Sequence, residues 1–219
     1  MMHYAASNGV LAPKVHGCYD IVMKNPSKPE ARVLVSGRVP GKALHLVWHE
    51  YTEDEKTSVK TQLRTQIQAM RKLTQPCIGQ FDREPFHSAY DAIESNYVGP
   101  FDSEEAFDNW CLARLNEGAL SSWKWKRWLK KKRQQSSGKF VLTHGDLTPR
   151  NIMVQGSTIT GIIDWERSAF LPEYAEYAFA LKLCHAHEEW WIPILEDILE
   201  RCDKQRLKFT KKIQNRPWL

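Results

Sequence analysis

The hydrophobic pattern of the chain changes period several times, and each change marks an element. Over the first forty residues it is extended: Val33, Leu34 and Val35 run into a Gly/Pro-rich corner ending at Gly41, which predicts a strand and a sharp connection. Thr52 with Glu55 then makes a T-x-x-E pair, and Val59, Leu63, Ile67 and Met70 recur at helical spacing. A capped amphipathic helix reaching Leu73 is expected. A second helix is predicted to start at Asp102 or Ser103, after the turn VGPFDS, with Phe107 and Trp110 on one face. Phe140 to Leu142 is a short apolar run, and two more such runs flank Gln155 to Ser157 as the arms of a hairpin would. From Pro172 the period is helical to near the end. Tyr177, Ala180, Leu181 and Cys184 form one stripe, and Trp191, Ile194, Leu195 and Ile198 another.

Composition changes this picture little. The 219 residues are 42% hydrophobic and 26% charged, ordinary for a folded chain, and allow one sizeable domain or two small lobes. A net charge of +5 suits anionic ligands without requiring a polyanionic partner. The five cysteines are scattered and include no C-x-x-C pair, which argues against a disulfide framework or structural zinc and for a reducing compartment. The start, MMHYAASNGVLAPK, lacks a basic segment followed by an apolar core, and no apolar run reaches the length of a membrane span. A soluble, cytoplasmic, monomeric protein is the expectation.

Candidate chemistry concentrates in FVLTHGDLTPRNIMV, Phe140 to Val154. His144, Gly145 and Asp146, then four residues, then Asn151, have the H-x-D-x-x-x-x-N spacing with which kinase catalytic loops carry a base and a magnesium ligand. The hairpin's return strand ends at Asp164, so strand pairing is expected to bring that carboxylate back beside Asn151. Phosphoryl transfer asks for charge placed around the transferred group more than for covalent chemistry. Magnesium is a hard ion and takes oxygen ligands, such as an Asn carbonyl and an Asp carboxylate. Asp146 would orient an acceptor hydroxyl and take its proton, in a loop restrained by Pro149 and braced by His144.

These segments resemble the aminoglycoside phosphotransferase-like enzymes, relatives of the protein kinases, and their fungal members in particular. THGDLTPRNIMV and GIIDWERSAFLPEYAEY carry the likeness; LAPKVHG, VPGKAL, IGQ and GPFDSEEAF extend it more loosely, from about Leu11 to about Tyr177. The resemblance implies an α+β, two-lobed, protein-kinase-like fold with ATP between the lobes. It implies Asp146 as the base, Asn151 and Asp164 as Mg2+ ligands, and backbone groups around Gly37 and Val39 against adenine. Residues 1–42 would then be a remnant of the N-terminal lobe with its hinge, and 43–219 the mainly helical C-terminal lobe. The family's smaller lobe opens with strands bearing a phosphate-covering loop, a phosphate-binding Lys and a helix-borne Glu partner. Here MMHYAASNGVLAPKV looks like the end of that helix, so a truncated lobe and an open cleft are expected. GRVPGK is no substitute phosphate loop, since three residues rather than four separate its glycines and Ala43 follows Lys42. Two functions stay open: transfer of the γ-phosphate of ATP to a small-molecule hydroxyl, or a noncatalytic binding or regulatory role. The basic chain does not recommend a polycationic aminoglycoside as acceptor, which leaves choline-like molecules and sugars under consideration.

SSWKWKRWLKKKRQQ, Ser121 to Gln135, packs cations among Trp123, Trp125 and Trp128. Such a segment can meet nucleic acid or an anionic membrane; the plainer reading is a solvated helix whose tryptophans cover the core. His185 and His187 are two apart and would point to different faces of a helix, so no metal site is expected there. Glu166 is read as a structural hydrogen-bonding residue. The aromatic stripe of Tyr174, Tyr177 and Trp191 is read first as core, with Tyr174 also close enough in sequence to the hairpin to touch a substrate.

Overall fold

The structure, a computed structural model, describes residues 1–22, 30–88, 90, 97–115, 117–184 and 186–213. A short helix α1 (Met2–Ser7) leads into the antiparallel hairpin β1 (Val15–Val22) and β2 (Glu30–Ser36), with Cys18 opposite Leu34. The predicted strand at Val33 to Val35 lies inside β2. At the corner that follows, Gly41 has φ 102, and a Cβ there would sit 2.1 Å from the Val154 carbonyl oxygen. Only glycine lets β3 (Lys42–Ala43) come down onto a later strand.

The helix α2 (Glu53–Lys72) starts as its sequence requires: Glu55 N–H donates to the Thr52 hydroxyl, and the Glu55 carboxylate accepts the Thr52 N–H at 2.9 Å. Val59, Leu63, Ile67 and Met70 form its buried stripe. Short strands β4 (Thr74–Gln75), β5 (Phe86–His87) and β6 (Tyr97–Val98) precede α3 (Glu104–Ala113), which is capped by Ser103, and α4 (Ala119–Arg133). Then come β7 (Phe140–Thr143), β8 (Ile152–Gln155), β9 (Thr158–Ile162) and β10 (Ala169–Pro172). The helices α5 (Ala175–Leu183), α6 (Ile192–Ile198) and α7 (Lys204–Lys212) complete the described chain.

This is an α+β architecture in which two small antiparallel sheets, ordered β10-β7-β4 and β3-β8-β9, are packed by helices. The expected hairpin around Gln155 to Ser157 is β8–β9, with Ile152 opposite Ile162. The buried face of α2 joins Leu142, Ile152, Ile162 and Phe170 in one core. The chain's start is stitched to the same body: the Tyr4 ring meets Phe170 edge-on at 5.6 Å, and the Ile162 N–H donates to the Leu11 carbonyl at 2.6 Å.

Two expectations change. The helical run after Pro172 is broken, because residues 186–191 form a 3-10 turn with a non-helical Glu188 before α6 begins. His185 and the side chain of His187 lie outside the described residues. In α4 the Trp125, Trp128 and Leu129 side chains turn to the core, as the plainer reading holds, but Trp123 is 56% exposed. Tyr174 is engaged with the helical side of the fold. Its hydroxyl lies 3.2 Å from the buried Arg206 guanidinium, which also pairs with Asp108 at 3.1 Å and Glu104 at 3.4 Å.

Candidate active site

The loop between β7 and β8 is held from behind by a buried carboxylate. Glu176, on an α5 segment buried from Ala175 to Ala180, accepts the backbone N–H of His144 at 2.6 Å and of Gly145 at 3.1 Å. Gly145 itself has φ 82, and a Cβ there would lie 2.5 Å from the Arg167 carbonyl oxygen, so the chain can turn at this point only without a side chain. The His144 ring is fully buried against Trp165, with ring centroids 4.8 Å apart. Its Nε2 faces the Ile163 carbonyl at 2.9 Å, which can only accept, so Nε2 carries the proton and Nδ1 accepts the Asp146 N–H at 3.3 Å. Burial pushes the imidazole pKa down, which favours this neutral form. His144 therefore ties the loop to the residue just after β9, the bracing role its position suggests. Further ties come from Trp191, whose Nε1 donates to the Leu147 carbonyl at 3.2 Å, and from the His45 N–H on the Pro149 carbonyl at 3.2 Å.

Within this frame Asp146, Asn151 and Asp164 converge. Asn151 Nδ2 donates to the Asp146 carbonyl at 2.9 Å and to its carboxylate at 3.2 Å. That fixes the amide and leaves Oδ1 as its remaining ligand atom. The Ile163 N–H donates to the Asn151 carbonyl at 2.8 Å, so the residue that follows, Asp164, emerges beside Asn151. Asp164 takes φ 65, a left-handed conformation that Asp tolerates, and its side chain is exposed. Burial first, and the Asp164 charge second, raise the Asp146 pKa, while Arg167, Asn151 and Arg150 pull it down. The Asn151 amide oxygen and the Asp164 carboxylate are hard donors of the kind magnesium takes, and would suit a soft metal poorly. Among the described residues no group of three or more His, Cys, Asp or Glu side chains offers a metal site.

The residues read as adenine contacts sit at one side. The Gly37 N–H is engaged by the Lys14 carbonyl at 2.7 Å. Val39 rests on β9, where a Cβ on Gly161 would be 2.7 Å from its Cγ1, three residues before Asp164. Glu166 is exposed rather than structural, its carboxylate 3.9 Å from Arg167. Sequence reasoning missed Glu176, although a lone acid inside the apolar run YAEYAFA was a readable sign of a buried polar task. It also missed Arg167, which donates to the Ser88 carbonyl at 3.1 Å, and the loop's Arg150, paired at 2.7 Å with the buried Glu188.

The sequence matches the model of the phosphotransferase enzyme family, APH, over residues 1–207. The chain belongs to this family. Solved structures with the same fold include the aminoglycoside phosphotransferase APH(3'')-Id from Streptomyces rimosus, in complex with ADP and streptomycin, at 14% identity and a TM-score of 0.50. That likeness covers 97% of this phosphotransferase-family chain and 78% of the other. Two thermostable mutants of aminoglycoside phosphotransferase APH(4)-Ia, both with hygromycin B, are also similar. The one with AMP-PNP has 18% identity, a TM-score of 0.51, and coverage of 86% of this chain and 59% of that one. The one with ADP has 16% identity, a TM-score of 0.53, and coverage of 90% and 63%. The chain thus spans less than two thirds of the length of these two neighbours. A search of curated proteins finds no match. At these identities the structural neighbours establish the kinase-like α+β fold and leave the reaction to be argued from the site.

Proposed function

We propose that this phosphotransferase-family protein transfers the γ-phosphoryl group of ATP to a hydroxyl of a small molecule. The observation that carries the proposal is the convergence of Asp146, Asn151 and Asp164, with the Asn151 amide tied to Asp146 and the hairpin bond from Ile163 to Asn151. Asp146 orients the acceptor hydroxyl and takes its proton. Its burial, the larger cause of its raised pKa, favours taking up that proton. Asn151 Oδ1 and the Asp164 carboxylate hold Mg2+, whose charge would neutralise the phosphate oxygens during transfer. Glu176, His144 and Trp191 keep the loop from moving as that charge develops. In this reading residues 1–42 supply the hinge side, with Val39 toward the adenine and α1 folded back on the larger body, and residues 43–219 supply the catalytic side. ATP is chosen as donor because the structural neighbours carry ADP or AMP-PNP. The acceptor is placed no more finely than a small-molecule alcohol, since a chain of net charge +5 does not favour the polycationic antibiotics bound by those neighbours.

Thermal melting with and without Mg·ATP, followed by ADP release in a panel of sugars, amino alcohols and choline-like alcohols, tests this. Saturation at about a hundredfold over Kd adds ~2.7 kcal/mol, or roughly 5–10 °C in Tm for a chain of this size. Asp164→Ala should abolish the magnesium-dependent part of the shift, and Asp146→Asn should keep the shift and lose ADP release. A wild-type chain with no shift at millimolar nucleotide would sink the proposal. A shift with no ADP release from any alcohol would point to the noncatalytic role.

A further inference from the structure

The outer face of α4 is not used by the site described above. Leu120 is 68% exposed and Trp123 56% exposed, and Lys124, Arg127, Lys130 and Lys131 are exposed beside them. At 3.6 residues per turn these six side chains fall within about a third of the helix circumference. The opposite face is spoken for: Trp125, Trp128 and Leu129 pack on the core, and the cations bordering it are neutralised, Lys132 by Asp203 at 2.8 Å and Arg133 by Asp108 at 2.5 Å. The four outer cations have no ion-pair partner among the described residues. Arg127 instead lies 5.8 Å from the centre of the Trp123 ring. The basic face continues across an open groove to Lys204 at the start of α7.

We infer that this face of α4 docks the protein on an anionic lipid surface. Its two kinds of residue fit the two layers of such a surface: the lysines and Arg127 meet phosphate and carboxylate headgroups, while Trp123 and Leu120 enter the boundary with the acyl chains. A single-stranded nucleic acid would use the cations and stack on Trp123, but it gives no task to Leu120, the most exposed large apolar residue of the helix. Attachment is peripheral, since among the described residues no helix is long and apolar enough to cross a membrane. None of the six residues of this face belongs to the site described above. Docking is therefore independent of the phosphotransferase reading and stands or falls without it.

The test is co-sedimentation of the full chain with vesicles of phosphatidylcholine alone and of phosphatidylcholine with about 30% phosphatidylserine, alongside filter binding to polyuridylate. The chain should sediment with the anionic vesicles only, and less as salt rises. Lys130→Ala with Lys131→Ala should lower partitioning roughly 30-fold, and Leu120→Ala severalfold, each variant keeping its Tm because these side chains are exposed. No sedimentation with anionic vesicles at low salt overturns the inference. So does tighter binding to polyuridylate than to vesicles, or vesicle binding that Leu120→Ala leaves unchanged.

Discussion

Replacing Glu176 by glutamine isolates the contribution of the carboxylate behind the loop between β7 and β8. In the native chain one oxygen takes the His144 N–H at 2.6 Å and the other the Gly145 N–H at 3.1 Å, both out of contact with water. Glutamine keeps the shape but turns an NH2 toward one of these donors. One buried N–H is then left without an acceptor, at about 1–3 kcal/mol, and the other bond falls from charge-assisted to neutral, at about 1 kcal/mol more. Against this, the carboxylate's own burial is unfavourable, as its raised pKa indicates, and the neutral amide recovers part of that cost. A net loss of about 2 kcal/mol follows, or roughly 4–8 °C in Tm for a chain of this length. Glu176→Ala orphans both donors and opens a void, so about 4 kcal/mol is expected. Glu173→Gln is the control, because among the described residues the Glu173 carboxylate accepts the exposed Ser137 hydroxyl at 3.0 Å; it should stay within about 0.5 kcal/mol. Denaturant unfolding with an unchanged m-value measures all three, and turnover should fall with the loop's rigidity in the two Glu176 variants. A Glu176→Gln protein as stable as the parent would refute the reasoning.

Two further perturbations probe the same loop. Burial and Asp164 raise the folded-state pKa of Asp146, so its stabilising protonation is complete below the unfolded value and is lost as pH rises through the folded one. In metal-free protein Asp146→Asn should therefore raise Tm at neutral pH while abolishing turnover, and the gain should vanish in acid below the ordinary carboxylate range; melting in chelator across that range checks the sign. Gly145→Ala places a Cβ about 2.5 Å from the Arg167 carbonyl at φ 82, so a loss of roughly 3 kcal/mol and a steep drop in turnover are expected, read by denaturant unfolding and ADP release.

Much of this protein was legible locally. Thr52 and Glu55 set the start of α2 through bonds between residues three apart, and Val59 to Met70 set its buried stripe through helical period alone. The order of His144, Asp146, Asn151 and Asp164 was readable because a tight hairpin leaves only one way to bring Asp164 back beside Asn151. What escaped was nonlocal. Glu176 stands 32 positions from His144, Glu188 stands 38 from Arg150, and Arg206 gathers Asp108 from 98 positions away. Nothing in the spacing of such residues announces a partner.

The chain by itself therefore determined the capped start and buried stripe of α2, the β8–β9 hairpin, and the order of the side chains for which phosphoryl transfer is proposed. Those depend on turn geometry, capping and hydrophobic period, all of which act within a few residues. Only the tertiary structure decided which carboxylate steadies the loop, which proton His144 keeps, and that Trp125 and Trp128 are buried while Trp123 faces solvent. Burial and unsatisfied hydrogen bonds set those outcomes, and both are properties of what lies across the fold rather than along it.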